Sequence, residues 1–342
     1  MKHYLDAILD TCASQKKSFT LICPYYYSPP NNVPLSSVKR LSLSGRYSHI
    51  NILPWILAFL SAYRAHRDQD IRVYLMNGIS LPSSIAILLL SRLFNLPSSL
   101  TLHDLTAHPG AKIDKLLSML NPISLALANK IHIHYSSLKP ESSILKYKSK
   151  TTVISHPSFS LGHFLKKKPS TIFPTYDISF VGRLEAYKGL EYFLSLVSCL
   201  QSIDPSISSC IVGSGSLAHF CTQYISKNSL NTHFLGFLPD HELAHLINST
   251  SLVIAPYIQA SASGLPSLVA SCHSFIVTSQ HYPLSEQSRS YGGLVIDIER
   301  NMVTSQHISQ ILLALEQRKC GELRMRPVDK SDASNLVQWI YT

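Results

Sequence analysis

The second half of the chain alternates short apolar runs with amphipathic helical patterns, and this alternation constrains the fold more than any other feature. The apolar runs predict strands at 177–181, 209–212, 233–235, 252–255, 275–278 and 293–296. The patterns between them predict helices at 189–201, 216–227, 241–249, 264–272 and 303–317. Strands and helices in such alternation form a parallel sheet that helices cover on both faces, and ligands bind these sheets beyond the carboxyl ends of the strands.

The first half follows the same rhythm less regularly. Its patterns predict strands at 19–23, 71–76, 100–103, 130–134 and 152–155, and helices at 49–66, 83–94, 112–128 and 140–148. The charged, proline-containing stretch 165–171 is the best linker candidate, and residues 332–341 have the pattern of an amphipathic helix. The chain is therefore predicted to be an α/β protein with Rossmann-like domains at 1–165 and 172–325, followed by a helical segment at 326–342.

One predicted strand leads into a loop that carries two cations. The segment 180–191 sets Arg183 and Lys188 five residues apart at the start of a predicted helix. A helix N-terminus has unpaired N–H groups and about half a positive charge, so it attracts anions. An arginine fork and a lysine point charge at that position suit a diphosphate. The alternative is a strand-to-helix turn whose two cations face water.

The segment resembles the donor-phosphate motif of retaining glycosyltransferases of family 4. Segments that continue the resemblance in the same order are 211–216, 234–243, 253–257, 260–264 and 292–295. The resemblance covers the second half well and the first half more loosely. It implies the GT-B fold, in which two Rossmann-like domains with parallel sheets face each other across a cleft. It also implies transfer of a sugar, with retention, from a nucleotide-sugar donor to a lipid-linked or glycan acceptor in bacterial surface polysaccharide biosynthesis.

The resemblance also implies roles for single residues. Arg183 and Lys188 correspond to the cations that bind the donor diphosphate, and Gly213 shapes the turn beneath the nucleotide. Phe237 and Leu238 lie where the family holds the nucleotide base, although Asp240 could simply cap the following helix.

In the first domain, a histidine that ends a strand reaches the transferred sugar in this family. His103 and its neighbour Asp104 are therefore the expected catalytic residues. His108 is a weaker candidate, and His156 is expected to be structural. The last helix of the family crosses back onto the first domain, and residues 326–342 are expected to do the same.

Two departures from the family pattern affect the expected site. Many members have two glutamates with seven residues between them, and Ala260 and Leu268 occupy those positions here. In the subgroup that this chain resembles, small residues replace them, so Ser263 and Gly264 are expected to present N–H groups to the donor. Glu286 could supply part of the missing ribose contact, or it could be an exposed carboxylate at a helix start. Residues 3–14 predict a helix at once, so the first strand and glycine-rich loop of this fold are expected to be missing from the sequence. Either the true start lies upstream, or the protein works without that loop, or the loop is degenerate.

Composition limits the partners. Residues 1–170 contain 20 basic and 7 acidic residues, whereas residues 171–342 contain 10 and 13. The basic first half favours contact with an anionic cytoplasmic membrane surface, although it could serve only solubility. No nucleic-acid-binding motif accompanies the charge, so no nucleic acid partner is expected. Seven scattered cysteines and dispersed histidines predict neither disulfides nor a metal site, and no cofactor is expected.

Three functions remain open at this stage. The leading one is a cytoplasmic, peripherally membrane-bound glycosyltransferase. The second is a non-catalytic protein of the same fold that binds a nucleotide sugar or a partner enzyme, which the missing loop and the absent glutamates would favour. The third is a sugar-nucleotide epimerase, which usually needs paired carboxylates for proton transfer.

Overall fold

A computed structural model of the chain describes residues 2–24, 27–41, 51–77, 81–102, 119–134, 144, 146–169, 171–259, 263–298, 302–328 and 331–342. The chain divides into two compact units. The first consists of Met1–Pro157 and Lys330–Thr342, and the second of Ser158–Asp329. The second unit is the more regular of the two.

The second unit is built on a six-stranded parallel sheet with the strand order β12-β11-β10-β7-β8-β9. Its strands are β7 (Tyr176–Val181), β8 (Ser209–Val212), β9 (Thr232–Gly236), β10 (Thr250–Ala255), β11 (Phe275–Ser279) and β12 (Leu294–Ile296). Its helices are α5 (Leu190–Ile203), α6 (Ala218–Lys227), α7 (Asp240–Asn248), α8 (Leu265–Ser271), α9 (Leu284–Ser290) and α10 (Ser305–Lys319). All six predicted strands and all five predicted helices are present, and α9 is an additional helix.

Successive residues of these strands bury opposite faces of the sheet. In β10, Leu252 and Ile254 pack into one apolar cluster, whereas Val253 and Ala255 pack into the other. Helices α5 and α10 cover the first cluster, and α7 and α8 cover the second. This two-sided burial explains why the strands have nearly continuous apolar sequences.

The first unit contains a four-stranded parallel sheet in the order β3-β4-β5-β6 and a separate parallel pair, β1-β2. The strands are β1 (Leu21–Pro24), β2 (Val38–Leu41), β3 (Val73–Asn77), β4 (Ser98–Leu102), β5 (Lys130–Ile133) and β6 (Thr151–Val153). The helices are α1 (Lys2–Ser14), α2 (Ile52–His66), α3 (Pro82–Leu93), α4 (Asn121–Leu127) and α11 (Ser331–Tyr341). Strand β4 is buried along its whole length, so it is the centre of this core.

The predicted helices of the first unit agree less well with the structure. Helix α4 occupies only the end of the segment predicted at 112–128, and residues 112–118 lie outside the described part of the chain. In the segment predicted at 140–148, residues 140–143 and 145 lie outside the described part of the chain and residue 144 is helical. Residues 146 and 147 form a turn, and a 3₁₀ helix begins at Lys148. The prediction also missed β2, a short strand with the polar sequence Val38-Lys-Arg-Leu41.

The C-terminal helix α11 packs against α1 within the first unit. Its Tyr341 hydroxyl donates to the Ser18 carbonyl at 2.8 Å, and the Trp339 indole N–H donates to the Thr152 hydroxyl at 3.1 Å.

The units divide at Pro157, ahead of the stretch 165–171 that the sequence favoured as a linker. Residues 158–161 already belong to the second unit because the Phe159 and Leu161 amides donate to side chains of α8.

The two units differ in charge. The first contains 18 basic and 8 acidic residues, and the second contains 12 of each. The net charge of +10 therefore belongs to the first unit. Among the described residues, no helix is both long and apolar enough to span a bilayer.

A buried histidine lies in a chain of hydrogen bonds within the first unit. His132 Nε2 is 2.9 Å from the carbonyl oxygen of Ile154, so this nitrogen donates. Its Nδ1 is 2.9 Å from the hydroxyl of Thr101, which in turn is 2.8 Å from the hydroxyl of Tyr74. A neutral ring satisfies both contacts, with Nδ1 accepting from Thr101. Burial lowers the pKa of His132 to about 4, because the charged ring would lose its hydration.

We expect acid to destabilise the first unit through His132. Its folded pKa is lower than its unfolded pKa of about 6.5, so the unfolded chain binds the proton first as the pH falls. Stability is then lost between about pH 6.5 and about pH 4, by about 2 kcal/mol at about pH 5. Urea unfolding followed by tryptophan fluorescence measures this loss. Both tryptophans, Trp55 and Trp339, lie in the first unit, so the signal reports that unit alone.

The matched control is His132→Gln, which keeps a polar side chain but cannot titrate. The variant should show a smaller fall in stability between neutral and acid pH than the wild-type chain, whatever its stability at neutral pH. All other residues are the same in the two proteins, so their contribution to the pH dependence cancels. Equal pH dependence in the two proteins would contradict the role of His132.

Candidate functional site

The order in which the chain adds strands to the parallel sheet of the second unit reverses between β7 and β10. From β7 the chain proceeds outward through β8 and β9, then returns to the other side of β7 and proceeds through β10, β11 and β12. The loops after β7 and β10 therefore lead away from each other at the carboxyl edge. Parallel sheets of this type bind ligands at such a switch point. The loop after β7 contains both predicted cations.

Arg183 and Lys188 are oriented by aromatic side chains. The Arg183 guanidinium donates a short hydrogen bond to the Tyr187 hydroxyl. The Lys188 ammonium lies 3.6 Å from the centre of the Tyr257 ring, which follows β10. Neither cation forms an ion pair with any carboxylate in the described part of the chain. Arg183 is exposed and Lys188 half-buried, so both positive charges remain available to an anion.

The backbone around these cations is fixed by a left-handed glycine and by hydrogen bonds between loops. Gly189 has φ +73° and precedes α5, whose N-terminus therefore lies directly after Lys188. A Cβ at Gly189 would overlap the carbonyl oxygen of Pro256 in the loop after β10. The same two loops are joined where the Ile258 amide donates to the Tyr187 carbonyl at 2.9 Å. The site therefore has a defined backbone before any ligand binds.

Gly213 shapes the loop after β8. Its φ is +140°, and a Cβ would overlap the carbonyl oxygen of Gly182, so this turn has no room for a side chain. The loop is tied to the one after β7, because the Glu185 carboxylate accepts from the Ser216 hydroxyl at 2.7 Å. The Gly213 amide donates to the Gly236 carbonyl at 2.7 Å. The contacts of Gly213 are those of a turn-forming residue.

Phe237 and Leu238 follow β9 and differ in their surroundings. The Phe237 side chain is 76% exposed, which is unusual for a large aromatic ring in a regular domain. Leu238 is partly buried and packs against the second apolar cluster. Leu238 therefore anchors the loop, whereas the Phe237 ring is free to stack on a planar ligand.

The loop before α8 contains Ser263 and Gly264. The Ser263 amide already donates to the Gln287 side-chain oxygen at 3.1 Å, so it is not available to an anion in this structure. A Cβ at Gly264 would overlap the ring of Phe159, so this glycine is needed for packing. Helix α8 has only seven residues. The predicted contact between the Ser263 N–H group and the donor would therefore require Gln287 to move, and the roles of Ser263 and Gly264 in donor binding stay predictions.

The remaining predicted residues divide into three groups. Glu286 is an exposed carboxylate in the first turn of α9, which was the alternative to its predicted contact with the ribose. Leu268 is buried in the second apolar cluster, so the position of the second family glutamate is part of the core. His103, Asp104, His108 and Ala260 lie outside the described residues.

Sequence reasoning missed the residues that hold the site residues in place. Tyr187 and Tyr257 contact the cations, and Gln287 binds the Ser263 amide. Tyr187 and Tyr257 each lie next to a motif residue in the sequence, and this proximity could have marked them as part of the site. Nothing in the sequence marked Gln287, because its partner Ser263 lies 24 residues earlier in the chain. In the described part of the chain, no group of three or more His, Cys, Asp or Glu side chains is placed to hold a metal ion.

This architecture defines a GT-B protein, with two Rossmann-like units, and solved structures of that class share its fold. Sucrose-phosphate synthase from Thermosynechococcus elongatus is 15% identical with a TM-score of 0.68, over 99% of this chain and 88% of that one. HepE from Anabaena in complex with UDP is 12% identical with a TM-score of 0.60, over 99% and 92%. WaaG, a glycosyltransferase involved in lipopolysaccharide biosynthesis, is 13% identical with a TM-score of 0.62, over 99% and 91%.

The family comparison is more specific than the fold. Residues 165–326, which make up nearly all of the second unit, match the family model of glycosyl transferases group 1. A comparison with curated protein sequences gives no significant match. The fold alone does not determine the reaction, because the UDP-GlcNAc 2-epimerase of Methanocaldococcus jannaschii shares it, at 9% identity and a TM-score of 0.61 over 99% and 96% of the two chains.

Proposed function

We propose that this chain is a retaining glycosyltransferase that transfers a sugar from a nucleotide-diphosphate donor to a lipid-linked or glycan acceptor. The observation that carries the proposal is the pair of cations at the switch point, Arg183 and Lys188, which have no carboxylate partner among the described residues. Transfer leaves a nucleoside diphosphate with a new negative charge. Fixed cations and helix-end N–H groups stabilise such a charge without reorganisation or a metal ion.

The remaining donor contacts follow from the same loops. The start of α5, directly after Lys188, adds its unpaired N–H groups to the two cations. The exposed Phe237 ring supplies a stacking surface for the base, next to the loop that Gly213 shapes. His103 and Asp104 are proposed to act on the transferred sugar, as the family resemblance implies. Substitution of each by alanine should lower the rate of transfer more than the affinity for UDP.

Retention, hexosyl transfer and the role in bacterial surface polysaccharide synthesis rest on the resemblance to family 4. The fold shared with WaaG supports this setting. The positive charge of the first unit supports binding to the cytoplasmic face of a membrane. Attraction to anionic lipids contributes about 1 kcal/mol of binding free energy for each basic residue near the surface. Raising the salt concentration should then weaken membrane binding, because salt screens the attraction between basic residues and anionic lipids.

A donor screen tests the function. The full chain is mixed with common nucleotide sugars, and its thermal stability is compared with that of the free protein. The donor should raise the melting temperature, since a ligand that binds only the folded state stabilises it. Release of nucleoside diphosphate on addition of a lipid extract would then show turnover, and NMR of the product would show the anomeric configuration. No stabilisation by any nucleotide sugar would refute the proposal.

A non-catalytic donor-binding protein is the second candidate. It is favoured by Leu268, which places an apolar core residue where many family members have a glutamate. The same screen separates the two candidates. Stabilisation by a nucleotide sugar without hydrolysis or transfer would support the binding protein, and turnover would exclude it.

We expect Phe237→Ala to weaken nucleotide binding without weakening the fold. Loss of one base-stacking ring costs about 1–3 kcal/mol, which is about fivefold or more in the dissociation constant. The ring is 76% exposed, so its removal leaves no cavity. Calorimetry with UDP, uridine and inorganic pyrophosphate checks the assignment. UDP and uridine should bind more weakly, pyrophosphate should bind as before, and Phe237→Tyr should retain most of the affinity. Unchanged uridine binding in Phe237→Ala would contradict base stacking.

A further inference from the structure

The first unit exposes an unusual number of large apolar side chains on three neighbouring helices. Of the seven exposed large apolar residues in its described part, six lie on α2, on α3, or on α4 and the turn before it. They are Leu53, Leu57, Leu89, Leu93, Met119 and Ile123. Four of them form two pairs at the i, i+4 spacing that places side chains on one side of a helix.

The three helices are packed side by side. Helix α2 contacts α3, where the Tyr63 ring stacks on Phe94 with centroids 4.4 Å apart. Helix α3 contacts α4, where the Arg92 guanidinium donates to the carbonyls of Leu127 and Ala126. Because α3 and α4 each connect neighbouring parallel strands, the right-handed crossover rule places both on the same face of the sheet.

The exposed residues lie on the solvent side of these helices. In α2 the buried residue is Phe59, and Leu53 and Leu57 lie on the opposite side of the helix axis. Leu57 is 58% exposed and Leu93 is 75% exposed. We call the surface formed by the six residues the leucine face. Large apolar side chains exposed together on neighbouring helices are characteristic of an interaction site.

The charge around the leucine face selects the partner. The segments 52–67, 82–94 and 119–130 contain four basic residues, Arg64, Arg67, Arg92 and Lys130, and no Asp or Glu. Two acidic residues, Asp68 and Asp70, follow the first of these segments, and Asp70 is paired with Arg72 at 3.5 Å. The whole unit has a net charge of +10, so a second copy of it would be repelled. An anionic lipid surface offers both a negative headgroup layer and an apolar interior.

We propose that the leucine face inserts into the interfacial layer of an anionic membrane, with the neighbouring arginines among the lipid headgroups. This inference rests on the proposed function and specifies which surface of the first unit would contact the membrane. The helices would lie in the interface with their leucines in the acyl region, as amphipathic interfacial helices do. Apolar insertion and electrostatic attraction then contribute separately to binding.

Vesicle flotation of the full chain tests the proposal. The vesicles are phosphatidylcholine alone or mixed with phosphatidylglycerol, at low and high salt of about 0.1 M and about 1 M, since salt screens the charge term only. The wild-type chain should prefer the anionic vesicles and retain part of its binding at high salt. The double variants Leu53→Ser/Leu57→Ser and Leu89→Ser/Leu93→Ser should each lower the partition coefficient at least about tenfold at either salt concentration.

The matched control is Ile203→Ser/Leu313→Ser in the second unit, whose side chains are 59% and 54% exposed. It loses a similar apolar area and should bind vesicles like the wild-type chain. Equal binding by all variants, or binding that high salt abolishes completely, would overturn insertion. A wild-type dimer that the leucine variants dissociate in the absence of lipid would overturn it in favour of self-association. The vesicles contain no donor or acceptor, so a failure of sugar transfer does not affect this result. Tryptophan fluorescence of the leucine variants shows that the first unit is intact, because both tryptophans lie in that unit.

Discussion

Replacement of Arg183 and Lys188 together by alanine should weaken binding of a nucleoside diphosphate about 100-fold or more and abolish transfer. Hydrogen bonds to charged groups contribute about 1.5–3 kcal/mol each, so loss of two predicts about 3 kcal/mol or more. Arg183 is exposed and Lys188 half-buried, and neither has a carboxylate partner within the described residues, so no buried charge is left unpaired. The fold should therefore be retained. Calorimetric titration with UDP measures the effect, with GDP and ADP as further probes.

The nucleoside without phosphates gives the decisive comparison. If the cations bind the diphosphate, the double variant should bind uridine as the wild-type chain does, whereas Phe237→Ala should not. The charge-matched control is Lys167→Ala/Lys227→Ala, which removes two exposed cations of the same unit away from the switch point. If this control weakens UDP binding as much as the site variant, the effect comes from net charge, and the assignment of Arg183 and Lys188 is wrong.

Arg183→Lys adds a finer test of the same site. It keeps the charge but removes the planar fork that binds two phosphate oxygens, and it also loses the hydrogen bond to the Tyr187 hydroxyl. An intermediate UDP affinity is expected. Affinity equal to wild type would mean that only the charge of Arg183 matters.

The sequence predicted the second unit well because burial and backbone conformation act locally there. Its strands are covered on both faces, so each appears in the sequence as a short apolar run between helices. The loops follow at their carboxyl ends, and Gly189 and Gly213 mark turns that only glycine can form. The positions of Arg183 and Lys188 beside the start of α5 follow from the same local rules. Their roles in binding remain predictions.

The contacts that orient the site could not be predicted in the same way. Tyr257 lies under Lys188 because β10 is the sheet neighbour of β7, although about seventy residues separate these side chains along the chain. Gln287 reaches the Ser263 amide for a similar reason, because β11, which precedes Gln287, is the sheet neighbour of β10, which precedes Ser263. In the first unit, β2 is polar and short, and it pairs only with β1 in a two-stranded sheet. A pattern with so little burial carries no strand signal.

Gly189→Ala should destabilise the second unit by about 3 kcal/mol or more. Residue 189 has φ +73°, and an L-residue in the left-handed region costs about 1–2 kcal/mol. The added methyl group would also overlap the carbonyl oxygen of Pro256, so the backbone of two loops must separate. That movement would break the hydrogen bond between the Ile258 amide and the Tyr187 carbonyl and displace the aromatic rings beside Arg183 and Lys188. UDP binding should therefore fall along with stability.

Gly236→Ala separates the two costs. Gly236 has φ +66°, close to that of Gly189, but a Cβ there has no heavy atom within 4 Å. This variant should lose only the conformational term, about 1 kcal/mol. Hydrogen exchange of β7 and α5 peptides measures the stability of the second unit, and tryptophan fluorescence should be unchanged because both tryptophans lie in the first unit. Equal losses in the two variants would show that the loops after β7 and β10 can move apart at no cost. The cations at the switch point would then not be held in advance of the ligand, and their contribution to stabilising a leaving diphosphate would be correspondingly small.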